Sequence, residues 1–181
     1  MKKLLATTAI LVLSTSTHAA TWEVLPATNG DYKADIAVAV IAGTSDFDDA
    51  DFSPKGLEVS LICPVLKPPK NTIRQQISYT ESDKNGVDLK SVEVNPHYMV
   101  NVSEKLSVGA GPSLGVTKIE TLGQDESVFT YGIGASARLN VTNNVFIGAE
   151  TRYAWSEDAD LLGETDDIDN LRTTLKIGFQ F

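Results

Sequence analysis

The chain has 181 residues, a formal net charge of −9, a pI of about 4.6 and a single cysteine, Cys63. That charge makes nucleic acid a poor partner, and one cysteine excludes an internal disulfide. The length suits one domain after a leader is removed.

The first twenty residues have the form of a secretory leader. Lys2 and Lys3 supply the basic start and Leu4 to Leu13 the apolar run. Small residues follow, with cleavage expected at Thr17-His18-Ala19 or one residue later. The run is too short to span a membrane as a helix, which needs about 20 residues. Residues 1–20 are therefore expected to be cleaved, leaving 21–181 as the folded domain.

From there the chain alternates, residue by residue, between apolar and polar or small positions, the pattern of strands with two unlike environments. Ile36, Val38, Val40 and Ala42 alternate with Asp35, Ala37, Ala39 and Ile41. Leu57, Val59, Leu61 and Cys63 alternate with Glu58, Ser60 and Ile62. Ile73, Ile77 and Tyr79 alternate with Arg74, Gln76, Ser78 and Thr80, and Val92, Val94, Tyr98 and Val100 with Glu93, Asn95, His97 and Met99. The second half is more regular. Leu106, Val108, Ala110, Leu114 and Val116 alternate with Ser107, Gly109, Gly111, Ser113, Gly115 and Thr117. Phe129, Tyr131, Ile133, Ala135, Ala137, Leu139 and Val141 alternate with Thr130, Gly132, Gly134, Ser136, Arg138 and Asn140. Val145, Ile147, Ala149, Thr151, Tyr153 and Trp155 alternate with Gly148, Glu150, Arg152 and Ala154, while Phe146 takes inward parity. Last, Leu171, Thr173, Leu175, Ile177, Phe179 and Phe181 alternate with Arg172, Thr174, Lys176, Gly178 and Gln180.

The count predicts an all-β, eight-stranded antiparallel up-and-down transmembrane β-barrel with a polar, side-chain-filled lumen. Each strand is near the 9–11 residues a tilted membrane strand needs. Lipid offers no hydrogen bonds, so the sheet must close on itself. Short connections are expected at Lys67–Asn71, Asn101–Lys105 and Val141–Asn144, and long ones near Gly43–Gly56, Glu81–Asp88, Lys118–Ser127 and Ser156–Asn170. Short turns belong on the periplasmic side and long loops outside. Aromatics fall in two belts, as two membrane interfaces favour: Tyr79, Phe129, Tyr131, Tyr153 and Trp155 above, Tyr32, Tyr98, Phe146, Phe179 and Phe181 below. Pro96 and Pro112 fall inside the fourth and fifth strands, where a bulge or broken pairing is expected.

The inward set carries both signs: Glu58, Arg74, Glu93, Arg138, Glu150, Arg152, Arg172 and Lys176. Buried charges are costly unless paired, so a neutralised plug is favoured over a gated ion path at this barrel size.

The terminal Lys176-Ile177-Gly178-Phe179-Gln180-Phe181, with Asn101-Val102-Ser103-Glu104-Lys105-Leu106 and Thr142-Asn143-Asn144-Val145-Phe146-Ile147-Gly148, resembles the small outer membrane barrels of Gram-negative bacteria, of the OmpX, OmpA-barrel and opacity-protein type. The resemblance covers nearly all of 21–181. It implies that Leu175, Ile177, Phe179 and Phe181 form the address read by the barrel assembly machinery. It also implies outer membrane lipids and lipopolysaccharide as surroundings, with the chain a monomer. The family contains adhesins, structural anchors and lipid-modifying enzymes, so it implies location better than activity.

Barrel enzymes that deacylate lipid A use a Ser-His pair with an acid. The one histidine after residue 20, His97, has inward parity and no His-x-Ser pattern, so it is expected to be a luminal polar group. Cys63 has outward parity and no basic neighbour on its strand, which predicts an inert thiol facing lipid. Negative charge collects in the long connections. In the last, Asp158, Asp160, Glu164, Asp166 and Asp169 fall on ligand positions of a calcium-loop template, although Leu162 takes one such position and no helix flanks the segment. The plain reading is a solvated acidic loop. No cofactor is expected; a middle reading has loose Ca²⁺ or Mg²⁺ bridging these carboxylates to lipopolysaccharide phosphates. The function expected is a non-enzymatic surface barrel serving envelope integrity, surface interaction or adhesion. A lipid-modifying hydrolase or a narrow passive pore is the alternative.

Overall fold

A computed structural model describes residues 21–47, 50–121, 124–157, 159–161, 164–166 and 169–181; the expected leader, residues 1–20, lies outside them. Among the described residues, eight long antiparallel strands form the barrel: β1 (Ala37–Phe47), β2 (Lys55–Ile62), β3 (Thr72–Lys84), β4 (Val87–Asn101), β5 (Leu106–Thr121), β6 (Gln124–Asn140), β7 (Val145–Ser156) and β8 (Asn170–Gln180). Each pairs with the next, and β8 pairs with β1 from Asn170↔Phe47 to Gln180↔Ala37. The sheet is therefore closed, the architecture the alternation predicts.

Parity sorts the side chains as the sequence requires, with the usual polarity inverted. On β3, Arg74, Gln76, Ser78, Thr80 and Ser82 are buried, while Ile77 and Tyr79 are exposed. Around the wall the exposed residues include Val40, Leu57, Val92, Leu114, Ile133 and Leu175.

The connections differ from expectation. The segment Glu81–Asp88 is not a long loop: β3 and β4 run on to a tight turn at Asn85-Gly86, with φ of 52° and 82°. Both values are positive, as a type I′ hairpin turn needs. Likewise β5 and β6 stay paired out to Thr121↔Gln124, β1 folds back on a short strand Ala50–Phe52, and Ala159–Leu161 pairs with Glu164–Asp166. The outer segments are hairpins, so β3 to β6 exceed the predicted lengths, reaching 17 residues in β6. On the other side, the connection at Lys67–Asn71 is not a short turn. Its residues Leu66–Lys67 pair with Glu23–Val24. The remaining two turns are short and chemically alike. Ser103 Oγ accepts from the N–H groups of Lys105 and Leu106 (3.3 and 3.1 Å), and Thr142 Oγ1 from those of Asn144 and Val145 (3.3 and 3.0 Å).

Pairing of β4 with β5 stops after Val94↔Leu114 and resumes at Tyr98↔Ala110. The register is the same on both sides, so no residue is inserted and there is no bulge. Pro96 stands opposite Pro112, and neither has an N–H to donate.

Both ends of the lumen are apolar. At the outer end Phe52, Leu89, Ile119 and Val128 pack together with Phe47 and Val87. At the inner end Phe146 packs with Ala37 and Ala39. Phe146 thus leaves the lower aromatic belt and points inward. Gly178 makes room for it, since a Cβ there would lie 2.6 Å from the ring. Cys63 is a second correction. It sits beyond the end of β2, is 8% exposed, and donates its N–H to Ile73 O (2.8 Å), so it does not face lipid.

Candidate functional site

Between the two apolar ends, inward parity gathers charges from β2, β4, β7 and β8. Lys176 Nζ contacts Glu58 Oε2 (2.5 Å) and Glu150 Oε2 (2.9 Å), and donates to Gln76 Oε1 (3.4 Å). Glu150 is bound on its other oxygen by Arg152, which reaches Glu93 Oε2 (2.5 Å). Arg172 binds the same Glu93 oxygen and approaches Thr80 Oγ1 (3.5 Å). The order Glu58, Lys176, Glu150, Arg152, Glu93, Arg172 alternates in sign and carries as many carboxylates as cations. Five of the six are buried and Arg172 is part-buried, and each is held by at least one opposite charge, which offsets the cost of taking it out of water.

The remaining two inward charges lie nearer the inner end. Arg74 pairs with Asp35 (2.5 Å) and donates to Ser60 Oγ (3.3 Å). Asp35, given the same parity as Ala37 and Ala39 in the sequence but left out of the inward charge set, lies in the lead-in to β1, where φ is 47°. Arg138 meets no carboxylate among the described residues. It donates to Gln180 and Asn140 and lies over the Phe146 ring, 3.6 Å from the centroid. A guanidinium over an aromatic face is attracted by the ring quadrupole.

His97 is fully buried in the lumen, and its Nδ1 lies 2.7 Å from Ser136 Oγ on β6. Sequence reasoning missed this serine because it is distant along the chain, though the inward parity of both was readable. The pair faces the lumen, and the barrel wall separates it from lipid.

Above the apolar wall the outward positions become charged. Lys118 binds Glu120 (3.0 Å) and Asp125 (3.1 Å), Lys90 binds Glu120 (3.1 Å), and Lys55 lies 3.8 Å from Glu81. Hydrogen bonds from Lys118 and Lys90 hold the Glu120 carboxyl below its ordinary range, and the same bonds raise both lysines. Of the acidic positions matched to the calcium template, Asp158 lies outside the described residues. Asp160, Glu164 and Asp166 fall on the short outer ribbon, with Asp160 opposite Thr165 and Glu164 opposite Leu161. Asp169 is used by the rim of the barrel: its oxygens accept from Ser156 N–H (3.1 Å) and the Tyr153 hydroxyl (3.4 Å).

Leu175, Ile177, Phe179 and Phe181 project outward at the end of β8, with Phe181 78% exposed.

No protein-family model matches the chain, and no curated protein does. Solved structures do match. The chain is similar to neisserial surface protein A, at 16% identity over 80% of this chain and 94% of that one, with a TM-score of 0.51. It is similar to Ail, the attachment invasion locus protein of Yersinia pestis, at 18% identity over 82% and 97%, with a TM-score of 0.53. Ail in complex with the heparin analogue sucrose octasulfate gives 19% identity over the same shares and a TM-score of 0.51. The resemblance to small outer membrane barrels, first read from three segments, therefore holds at the level of fold.

Proposed function

We propose that this chain is a non-enzymatic barrel of the Gram-negative outer membrane, delivered by cleavage of residues 1–20, whose acidic outer hairpins serve envelope integrity, surface interaction or adhesion. One observation carries the reading: polarity is inside out. Leu175 is 67% exposed and Ile133 61%, whereas Glu93 and Arg152 are each 4% exposed. In water this arrangement strands hydrocarbon on the surface and charge in the interior. In a bilayer the wall contacts acyl chains, and the closed ladder leaves no open edge in hydrocarbon. Heat-modifiable migration of the protein from the membrane fraction in a detergent gel tests the reading. A folded form that migrates apart from the boiled form is expected; one position before and after boiling would contradict a closed membrane barrel.

The surroundings in this reading are outer membrane lipids and lipopolysaccharide, and the chain is a monomer. Leu175, Ile177, Phe179 and Phe181 are the residues offered to the barrel assembly machinery. Ca²⁺ or Mg²⁺ is held loosely by the acidic hairpins. Calorimetry should register heat on adding Ca²⁺ that Asp158→Asn with Asp169→Asn removes, and no heat in the parent would end that part of the proposal.

The His97–Ser136 contact is the one observation that favours a hydrolase. Its place in the lumen weighs against one, because lipid has no route to it through the wall. His97→Ala should leave the lipid A mass profile of the host unchanged; an altered profile would overturn the non-enzymatic reading.

A further inference from the structure

The inner end of the molecule carries an amphipathic ribbon that the barrel does not require. Glu23 pairs with Lys67 and Val24 with Leu66; Leu25 N–H donates to Val65 O (2.7 Å) and Ala27 N–H to Pro64 O (3.3 Å). Leu25, with φ of 56°, ends the ribbon and turns the chain into the short 3₁₀ turn Pro26–Thr28. The ribbon is fastened to the barrel. The Tyr32 hydroxyl donates to Ile62 O (2.6 Å), and Ile62 N–H donates to Ala34 O (2.7 Å). Directly paired residues project from the same face, as do residues two apart on one strand. One face is therefore Trp22, Val24 and Leu66, and the other carries the Glu23–Lys67 ion pair at 3.2 Å. Trp22 is 53% exposed and Val24 67%, with Leu25 and Val65 exposed beside them. An exposed apolar cluster of this kind marks an interaction surface, whereas single exposed residues do not.

We propose that this ribbon lies in the headgroup interface of the periplasmic leaflet and anchors the inner end of the barrel to phospholipid. The inference rests on the membrane reading above. Three observations select lipid as the occupant. The first is height. Tyr98, in the lower aromatic belt, donates its hydroxyl to Lys70 O (3.2 Å) and accepts from Asn71 Nδ2 (3.1 Å). The connection carrying the ribbon thus rejoins the wall at the level where amphipathic rings meet an interface. The second is continuity. The lipid-facing wall of β2, with Leu57 and Val59 exposed, ends at Ile62. Val65 and Leu66 follow within about 13 Å of chain. The third is charge. Lys70 is exposed close to the apolar residues, where a long amine reaches phosphate while its stem stays in hydrocarbon. Tryptophan is among the residues most favoured at that depth.

The chain has two tryptophans, Trp22 on the ribbon and Trp155 at the outer end of β7. Trp155→Phe and Trp22→Phe therefore isolate each signal. Both variants, purified from membranes and shown to be folded by heat-modifiable migration, are reconstituted into phosphatidylcholine vesicles brominated near the headgroup or deep in the chains. Trp22 emission is expected to be blue-shifted and quenched more by shallow than by deep bromines. Trp155 is expected to be quenched as well. Trp155 quenched with Trp22 unquenched and red-shifted would overturn the anchor, leaving the ribbon facing water or a protein partner while the barrel reading stands. Deep quenching of Trp22 would overturn the interfacial placement. If neither residue is quenched, the membrane reading itself fails, and the anchor with it.

Discussion

In the lumen, one carboxylate oxygen of Glu93 takes hydrogen bonds from both Arg152 and Arg172. Glu93→Ala leaves the buried Arg152 and the part-buried Arg172 guanidinium groups short of a counter-charge, which costs about 3–5 kcal/mol. The expected result is a lower urea midpoint with an unchanged slope, measured on protein refolded in vesicles. Lys55→Ala, at an exposed pair, is the comparison, because solvent screens such pairs. A Glu93→Ala loss no larger than that of Lys55→Ala would sink the argument. Parity alone was enough to place these charges inside, since a strand has only two faces. It could not assign partners. Which residues meet across a lumen depends on barrel closure, so Lys176 reaches Glu58 over a separation of 118 residues. Arg138 shows the same limit: its neighbours are an aromatic ring and two amides. Cys63 was misplaced because parity was carried one residue past the end of its strand.

At the level of elements, the paired prolines make a soft place in the wall. Pro96 and Pro112 each lack the donor that would bond the other's carbonyl, while the register on either side is intact. Replacing both by valine should allow the two missing bonds to form. Each is worth about 0.5–1.5 kcal/mol, so the urea midpoint should rise. A lower midpoint would show that the gap is needed for packing. A second element-scale effect concerns the outer hairpin of β5 and β6, where Glu120 has a depressed pKa. Its contribution is present above the ordinary carboxylate range and is lost as pH falls through the depressed value. Amide exchange at Thr117–Thr121, corrected for intrinsic rates, should therefore speed up on acidification in the parent and not in Glu120→Gln. The strands themselves were legible because alternation is a local signal. Their outer ends were not. There the outward residues turn polar, and turn chemistry such as Asn85-Gly86 becomes the informative signal.

Across the whole molecule, the lumen is closed twice, by the Phe52–Leu89–Ile119–Val128 cluster outside and by Phe146 within. Beneath the outer cluster, a cavity of about 30 Å³ lies between Leu89 and Arg172, room for roughly one or two waters. Planar bilayers containing the protein should show no stable single-channel steps, and such steps would defeat the filled-lumen argument. The sequence predicted closure from the lack of hydrogen bonds in lipid, and strand number from the count of alternating segments. The two apolar ends were hidden in segments read as loops and by a phenylalanine at an inward position. The alternating charges also bear on the order of assembly. Glu58 belongs to the second strand, while Glu150, Arg152, Arg172 and Lys176 belong to the last two, and β8 seals against β1. Until the C-terminal strands are in place, Glu58 and Glu93 have no cations among these partners. Neutralising the interior and zipping the final seam are then a single late step. A truncated or stalled chain would carry bare charge into the bilayer, so the network penalises insertion of anything short of the complete barrel.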